Sequence, residues 1–152
     1  MVLFNGQEKD RLYAITELNA DEAHLELVTD YKRQLPKKNV YLFWSLLKKD
    51  KNDWVLQKAT ELGVSHFIPL IAERSEKTGF NIDRARRIVV EAAEQCGRGD
   101  IPELVVCSTL AEVLDLPQYR WQIAEQGSAP VAISKNVGEK TAGILVGPEG
   151  GW

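Results

Sequence analysis

The stretch Gly143-Ile-Leu-Val-Gly-Pro-Glu-Gly-Gly-Trp152 decides how the rest of the chain is read. Ile144, Leu145 and Val146 form a short apolar run rich in β-branched residues, the pattern of a buried strand. Gly147-Pro148-Glu149-Gly150-Gly151 then stops it. Pro148 fixes its own φ and lacks an N–H, while the three glycines reach backbone conformations closed to other residues. At the carboxyl end of a parallel strand, such a loop can lay bare amides and carbonyls against a flat ligand, where open α/β sheets bind theirs. Taken alone it reads more readily as a plain Gly-Pro turn, so its meaning depends on the strands before it.

Upstream, from Val40 onward, strand and helix patterns alternate. Val40-Tyr-Leu-Phe-Trp44 is a continuous apolar run, typical of a strand covered on both faces. Asp53 is placed to cap a helix with Val55, Ala59 and Leu62 inward and Gly63 just past its end. His66–Ile71 is the next strand. Asn81 or Asp83 caps a longer helix whose inner face carries Ala85, Ile88, Val89, Ala92 and Cys96. Leu104–Cys107 reads as a third strand, followed by a short helix from Leu110 to Leu114, a strand near Trp121–Ala124, and Gly143–Val146. This alternation predicts an α/β fold with a mostly parallel sheet. The start of the chain has a different rhythm. Val2-Leu3-Phe4 runs into the hairpin dipeptide Asn5-Gly6, and Leu12–Ile15 and His24–Val28 read as further short strands. Three strands do not close a barrel, and a chain opening directly on a strand points to earlier strands elsewhere. Gln34–Lys38 reads as a linker, giving a partial β domain over 1–36 and an α/β domain over 37–152.

Composition excludes several classes. The 44% hydrophobic and 27% charged fractions are those of an ordinary globular protein. No apolar run has the length of a membrane span, and the N-terminus lacks the blocks of a secretory signal. Cys96 and Cys107 are too few for a disulfide framework or a zinc knuckle, so a reduced, cytoplasmic setting is expected. Net charge is −3, yet seven of the 19 Lys and Arg fall between Lys32 and Lys51, against the single acid Asp50. Lys37, Lys38, Lys48, Lys49 and Lys51 in this band are candidate contacts to a polyanion; a solvated linker and loop would share the composition.

Familiar catalytic motifs are missing. There is no G-x-G-x-x-G and no G-x-S-x-G, and Gly138-Glu-Lys-Thr141 lacks the upstream glycine of a phosphate loop. His24 and His66 have no Cys or carboxylate partners at ligand spacing and read as structural, so no metal is expected. Two internal stretches remain: Lys58-Ala-Thr-Glu-Leu-Gly-Val64, a helix end turning into a strand, and Glu94-Gln-Cys-Gly-Arg98, which projects an arginine from a helix cap. An arginine there can complement the helix dipole or grip a phosphate or a base. Glu73-Arg74-Ser75 follows a buried strand, a usual place for functional groups in α/β enzymes.

These three stretches and Val146-Gly-Pro-Glu-Gly-Gly151 stand in one order along the chain. Together they resemble the bacterial family that methylates N3 of a uridine in small-subunit (16S) ribosomal RNA, within the SPOUT superfamily of trefoil-knot, S-adenosylmethionine-dependent methyltransferases. The resemblance runs over essentially the whole chain. It implies that residues 1–36 are later strands of a PUA-like barrel, and that S-adenosylmethionine lies between a loop around Glu125–Ser128 and the Gly147–Gly151 loop. Glu125, Leu145, Val146, Gly147, Pro148, Glu149 and Gly150 would then touch the cofactor. Arg98 would stabilise charge on the uridine carbonyls, Glu73 would accept the N3 proton, and Arg74 would join the lysines on RNA. The alternative for Arg98 and Glu73 is a structural pair. The family forms homodimers through its knot, and its sequences continue on both sides of the span seen here. The chain therefore reads as an interior portion, expected to be inactive by itself. A non-catalytic RNA-binding module and an α/β domain for another adenine nucleotide are the competing readings.

Overall fold

The computed structural model describes residues 2–3, 10–31, 35–47, 49–72, 79–106, 108–114 and 141–147. Strands β1 (Val2–Leu3), β2 (Asp10–Leu18) and β3 (Ala23–Tyr31) form an antiparallel sheet in that order. The β2–β3 hairpin closes at Asn19, whose N–H donates to Glu22 O at 2.8 Å. Both longer strands exceed the apolar runs that mark them in the sequence. The expected Asn5-Gly6 turn lies outside the described residues.

The second sheet is built from β4 (Asn39–Ser45), β5 (His66–Ile71), β6 (Glu103–Leu104), β7 (Ser108–Thr109) and β8 (Thr141–Val146), every described pairing being parallel. Its order is β6-β5-β4-β8, with β7 also on β5. Helix α1 (Lys49–Glu61) connects β4 to β5, and α2 (Ile82–Gln95) connects β5 to β6. Side-chain alternation splits the core in two. Leu42, Trp44 and Phe67 pack against Leu56 of α1 and Ala85 and Val89 of α2. Phe43, Ile68 and Leu70 meet Val113 of helix α3 (Leu110–Leu114) on the opposite face, with Leu145 partly buried against them. The run from Val40 to Trp44 is apolar throughout because β4 has a layer on each side.

Four local expectations are corrected. Helix α1 begins at Lys49, so Asp53 lies inside it and does not cap it; its carboxylate instead takes Arg84 of α2, Nη2 to Oδ2 at 2.6 Å. Leu62 falls past the helix end and is 86% exposed. Cys96 is the C-cap of α2 and is exposed, since the last turn lifts it off the core. The strand expected over Leu104–Cys107 is two short ones, β6 and β7, because the chain leaves β5 at Val105–Val106 and returns at Ser108. The cap of α2 is Asn81, whose side chain accepts from Arg84 N at 2.9 Å. The expected strand at Trp121–Ala124 lies outside the described residues.

Both helices stop in the same way. Gly63 (φ +94°) and Gly97 (φ +69°) take left-handed conformations open to glycine. Around each, paired 6→1 and 5→2 bonds close a Schellman motif. They are Val64 N to Ala59 O and Gly63 N to Thr60 O after α1, and Arg98 N to Ala93 O and Gly97 N to Glu94 O after α2.

Candidate functional site

Strand order reverses beside β4. The chain goes from β4 through α1 to β5 on one side, whereas β8 lies on the other. In open α/β sheets ligands bind at the carboxyl ends of strands at such a reversal. Register aligns Trp44 with Val146, so the loop leaving β4 and Gly147 leaving β8 face each other across the switch point.

The β4 side of this crevice is rigid. Asn52, 6% exposed on the first turns of α1, accepts from Leu47 N (3.0 Å) and from the Trp44 indole Nε1 (3.1 Å), and its amide donates back to Leu47 O. One side chain thereby satisfies both backbone groups of Leu47 and the buried indole. Trp44 is held edge-on by Phe67 and Phe80, each with centroids 5.9 Å away. Leu46 N reaches Leu70 O at 3.0 Å. On the β8 side Leu145 is anchored below, while Ile144 and Val146 are each 49% exposed on the face shared with Leu42 and Trp44. The crevice therefore pairs a fixed polar-backbone wall with half-exposed aliphatic groups ending in glycine, which suits a flat ring system with polar edges.

Leu145, Val146 and Gly147 lie at this crevice. Glu73, Arg74, Lys48, Glu125, Pro148, Glu149 and Gly150 lie outside the described residues, so the Glu73–Arg98 pairing lies there too. The basic band is divided by β4 itself. Lys37 and Lys38, both exposed, precede the amino end of the strand, whereas Lys49 and Lys51 open α1 beyond its carboxyl end. A seven-residue strand separates the two groups by roughly 20 Å.

Arg98 sits at the amino edge of the sheet, opposite the crevice. Its Nη1 donates to Thr60 O and Val64 O, both at 2.7 Å, and its Nε and Nη2 hold the two Asp100 oxygens at 3.0 and 2.8 Å. The side chain is 9% exposed. Thr60 and Val64 flank the turn that ends α1, so the guanidinium meets the negative end of that helix and adds a charged donor to the Thr60 carbonyl, which already accepts from Gly63 N. Within one chain, this geometry directs Arg98 away from any uridine at the Gly147 loop. The stretches Lys58–Val64 and Glu94–Arg98, separate in sequence, are two halves of one staple.

Sequence reasoning missed Asn52, Asp100 and the Asp53–Arg84 bridge. Asp100, two residues after Arg98, was legible as a partner; backbone acceptors leave no trace in sequence. His66 stacks on Tyr41 (4.0 Å, 8°) with Nε2 3.4 Å from Glu103, while His24 is exposed. An apolar recess of about 240 Å³ between Phe43, Ile68 and Val113 lies on the α3 face, apart from the crevice. Glu112 at its rim is held below the usual carboxylate range by the Thr109 N–H at 2.7 Å and by the Thr109 hydroxyl.

Comparison with known proteins adds three findings. Residues 33–152 match the family model of the RNA methyltransferase domain. The chain is 35% identical to ribosomal RNA small subunit methyltransferase E of Bacillus subtilis, over 81% of the chain and 54% of that protein. It is 29% identical to the protein of that name from Rickettsia conorii, over 99% of the chain and 63% of the relative. Among solved structures it superposes on ribosomal RNA small subunit methyltransferase E of Neisseria gonorrhoeae bound to S-adenosyl methionine. That match has a TM-score of 0.81 and 28% identity, over 100% of the chain and 66% of the other. The chain thus spans between half and two thirds of the length of these relatives.

Proposed function

We propose, since the chain belongs to the RNA methyltransferase domain family, that it serves S-adenosylmethionine-dependent methylation of small-subunit ribosomal RNA at N3 of a uridine. The observation that carries this reading is the switch point, where Gly147 and a pinned loop stand side by side at the carboxyl ends of β8 and β4. S-adenosylmethionine, when bound, supplies an activated methyl group on a sulfonium. The chain's own part is to position and to move a proton. Leu145, Val146 and Gly147, with Pro148, Glu149 and Gly150, form one wall of the cofactor site, and Glu125 belongs to the other. Asn52 keeps the facing loop fixed, so the wall is formed before binding and less ordering is required.

Uridine N3 is a poor nucleophile while it carries its proton, and Glu73, two residues beyond β5, is the proposed acceptor. Arg98 acts as a positioning residue, tying the ends of α1 and α2 together so that the opposite end of α1, with Asn52, is held at the crevice. Lys37, Lys38, Lys48, Lys49, Lys51 and Arg74 are proposed phosphate contacts. The SPOUT knot, a PUA-like unit containing β1–β3, a homodimer and a cytoplasmic setting complete the reading, on the family resemblance. Incubation of the full-length protein with methyl-labelled S-adenosylmethionine and small-subunit ribosomal RNA tests it. Label recovered as N3-methyluridine is expected from that protein, and none from residues 1–152 by themselves. RNA retained with no uptake of the methyl donor supports a binding module instead, and preference for ATP supports a different nucleotide domain.

A further inference from the structure

Because β4, β5 and β6 are parallel, α1 and α2 both start at the carboxyl edge of the sheet, α1 next to the candidate crevice and α2 further out, over β5 and β6. The Arg84–Asp53 bridge ties their first turns together. Helices packed in this way lie about 8–10 Å apart, and Arg87, one turn on from Arg84, lies on the α1 side of α2, whereas Arg86 lies on its other flank. In α2 these are Arg84, Arg86 and Arg87, all within its first six residues. Arg84 is engaged with Asp53. Arg86 is 63% exposed and only loosely near Asp83, at 4.0 Å. Arg87 is exposed and lies on the side of the helix away from Ala85, Val89 and Ala92.

This charge order opposes what helix stability favours. Anions suit a helix N-terminus and cations its C-terminus, yet against the single acid Asp83 in its first turn α2 carries three arginines early, no basic residue in its last turn, and Glu91 and Glu94 in its second half. Arg84 is accounted for by its bridge to Asp53; Arg86 and Arg87 are not explained by capping, by core packing or by the dipole. They do match a polyanion that approaches the carboxyl edge.

We propose that Arg86 and Arg87, together with Lys51 on α1, form a phosphate-binding surface that holds the RNA backbone along the carboxyl edge of the sheet, leading toward the crevice. The proposal rests on the reading of the chain as an RNA methyltransferase domain and extends it to residues outside the Lys32–Lys51 band. It also explains how lysines divided between two sheet edges can serve one substrate: the carboxyl-edge group is completed by α2.

The test is the salt dependence of binding to small-subunit ribosomal RNA, comparing the unaltered protein with Arg86→Gln/Arg87→Gln. Each lost phosphate contact lowers the slope of log K against log salt by about 0.7–0.9, so a slope lower by about 1.4–1.8 is expected. S-adenosylmethionine affinity should stay the same, and the melting temperature should hold or rise, since cations leave a helix N-terminal half. Glu94→Gln separates a local surface from overall charge. Glu94 lies roughly 10 Å along the helix from Arg87 at 1.5 Å per residue, beyond the Debye length of about 8 Å at physiological salt. Little change is expected from that variant. An unchanged slope in the arginine variant, or a change from the glutamate variant of opposite sign and about half the size, overturns the proposal. Should the unaltered protein bind the methyl donor but show no salt-dependent RNA binding, the surface is refuted while the cofactor site stands. Absence of methyl-donor uptake strikes the functional reading itself.

Discussion

Replacing Arg98 by alanine separates a structural role from a catalytic one. The change removes two charge-assisted bonds to carbonyls and a two-point pair with Asp100. It also strands the Asp100 carboxylate, which is 25% exposed. Breaking a buried pair by deleting one partner costs about 3–5 kcal/mol, and the two carbonyl acceptors lose charged donors worth about 1.5–3 kcal/mol each before water replaces them. A net loss of about 3–5 kcal/mol is the reasonable sum, since water reaches this edge once the side chain is gone. Against a domain stability of about 5–15 kcal/mol, that is a large fraction. With a urea m-value of about 2 kcal/mol/M, the midpoint should fall by about 1.5–2.5 M. Arg98→Lys should recover only part, because one ammonium cannot meet two carbonyls and both oxygens of a carboxylate together. In a cycle with Asp100→Asn, the double variant should be less destabilised than the two single changes added together. Arg98→Ala with an unchanged urea midpoint and abolished methyl transfer would refute the staple and return the residue to the chemistry.

Three further outcomes are expected. Asn52→Ala leaves the Trp44 indole and both Leu47 backbone groups without their partner, at a cost of about 2–4 kcal/mol; unaltered Trp44 fluorescence and an unaltered melting point would contradict the pinning. Gly63→Ala and Gly97→Ala meet no atom within 4 Å, so any loss comes from the left-handed backbone alone, about 1–2 kcal/mol; equal stability on thermal melting would count against the Schellman assignment. Glu112, lowered by the Thr109 N–H and hydroxyl, supports α3 above its unfolded-state pKa, and that support is lost as pH falls through the lower folded value. Glu112→Gln should remove this acid-side dependence, and an unchanged acid melting profile would argue against the cap.

The parallel sheet was legible because Val40–Trp44 and His66–Ile71 are apolar enough to announce strands covered on both sides. The ends of the helices were legible through Gly63 and Gly97. The start of α1 was not. Lys49-Asp-Lys-Asn52 looks like a charged loop, and the residue that makes it a helix start packed on β4 is polar, so hydrophobic periodicity cannot register it. Of the candidate site, the sequence placed Val146 and Gly147 at a strand end, which is where they stand, at the carboxyl end of β8. The placement of Arg98 depends on carbonyls that no side chain encodes, and the split of the basic band depends on β4 crossing the sheet from edge to edge.

That crossing strand also orders events in time. Neighbours β4 and β5 are joined by a single helix, but β4 and β8 pair across about a hundred residues. Non-local pairings form slowly, because chain entropy is lost before they return any contact energy. The β4–α1–β5–α2 unit, with its Arg98 staple, should therefore assemble first, and the strand carrying the glycine loop should dock last. A ligand seated at the switch point then bridges the early and the late parts of the fold. Its stabilisation should appear as slower unfolding and leave the folding rate nearly unchanged.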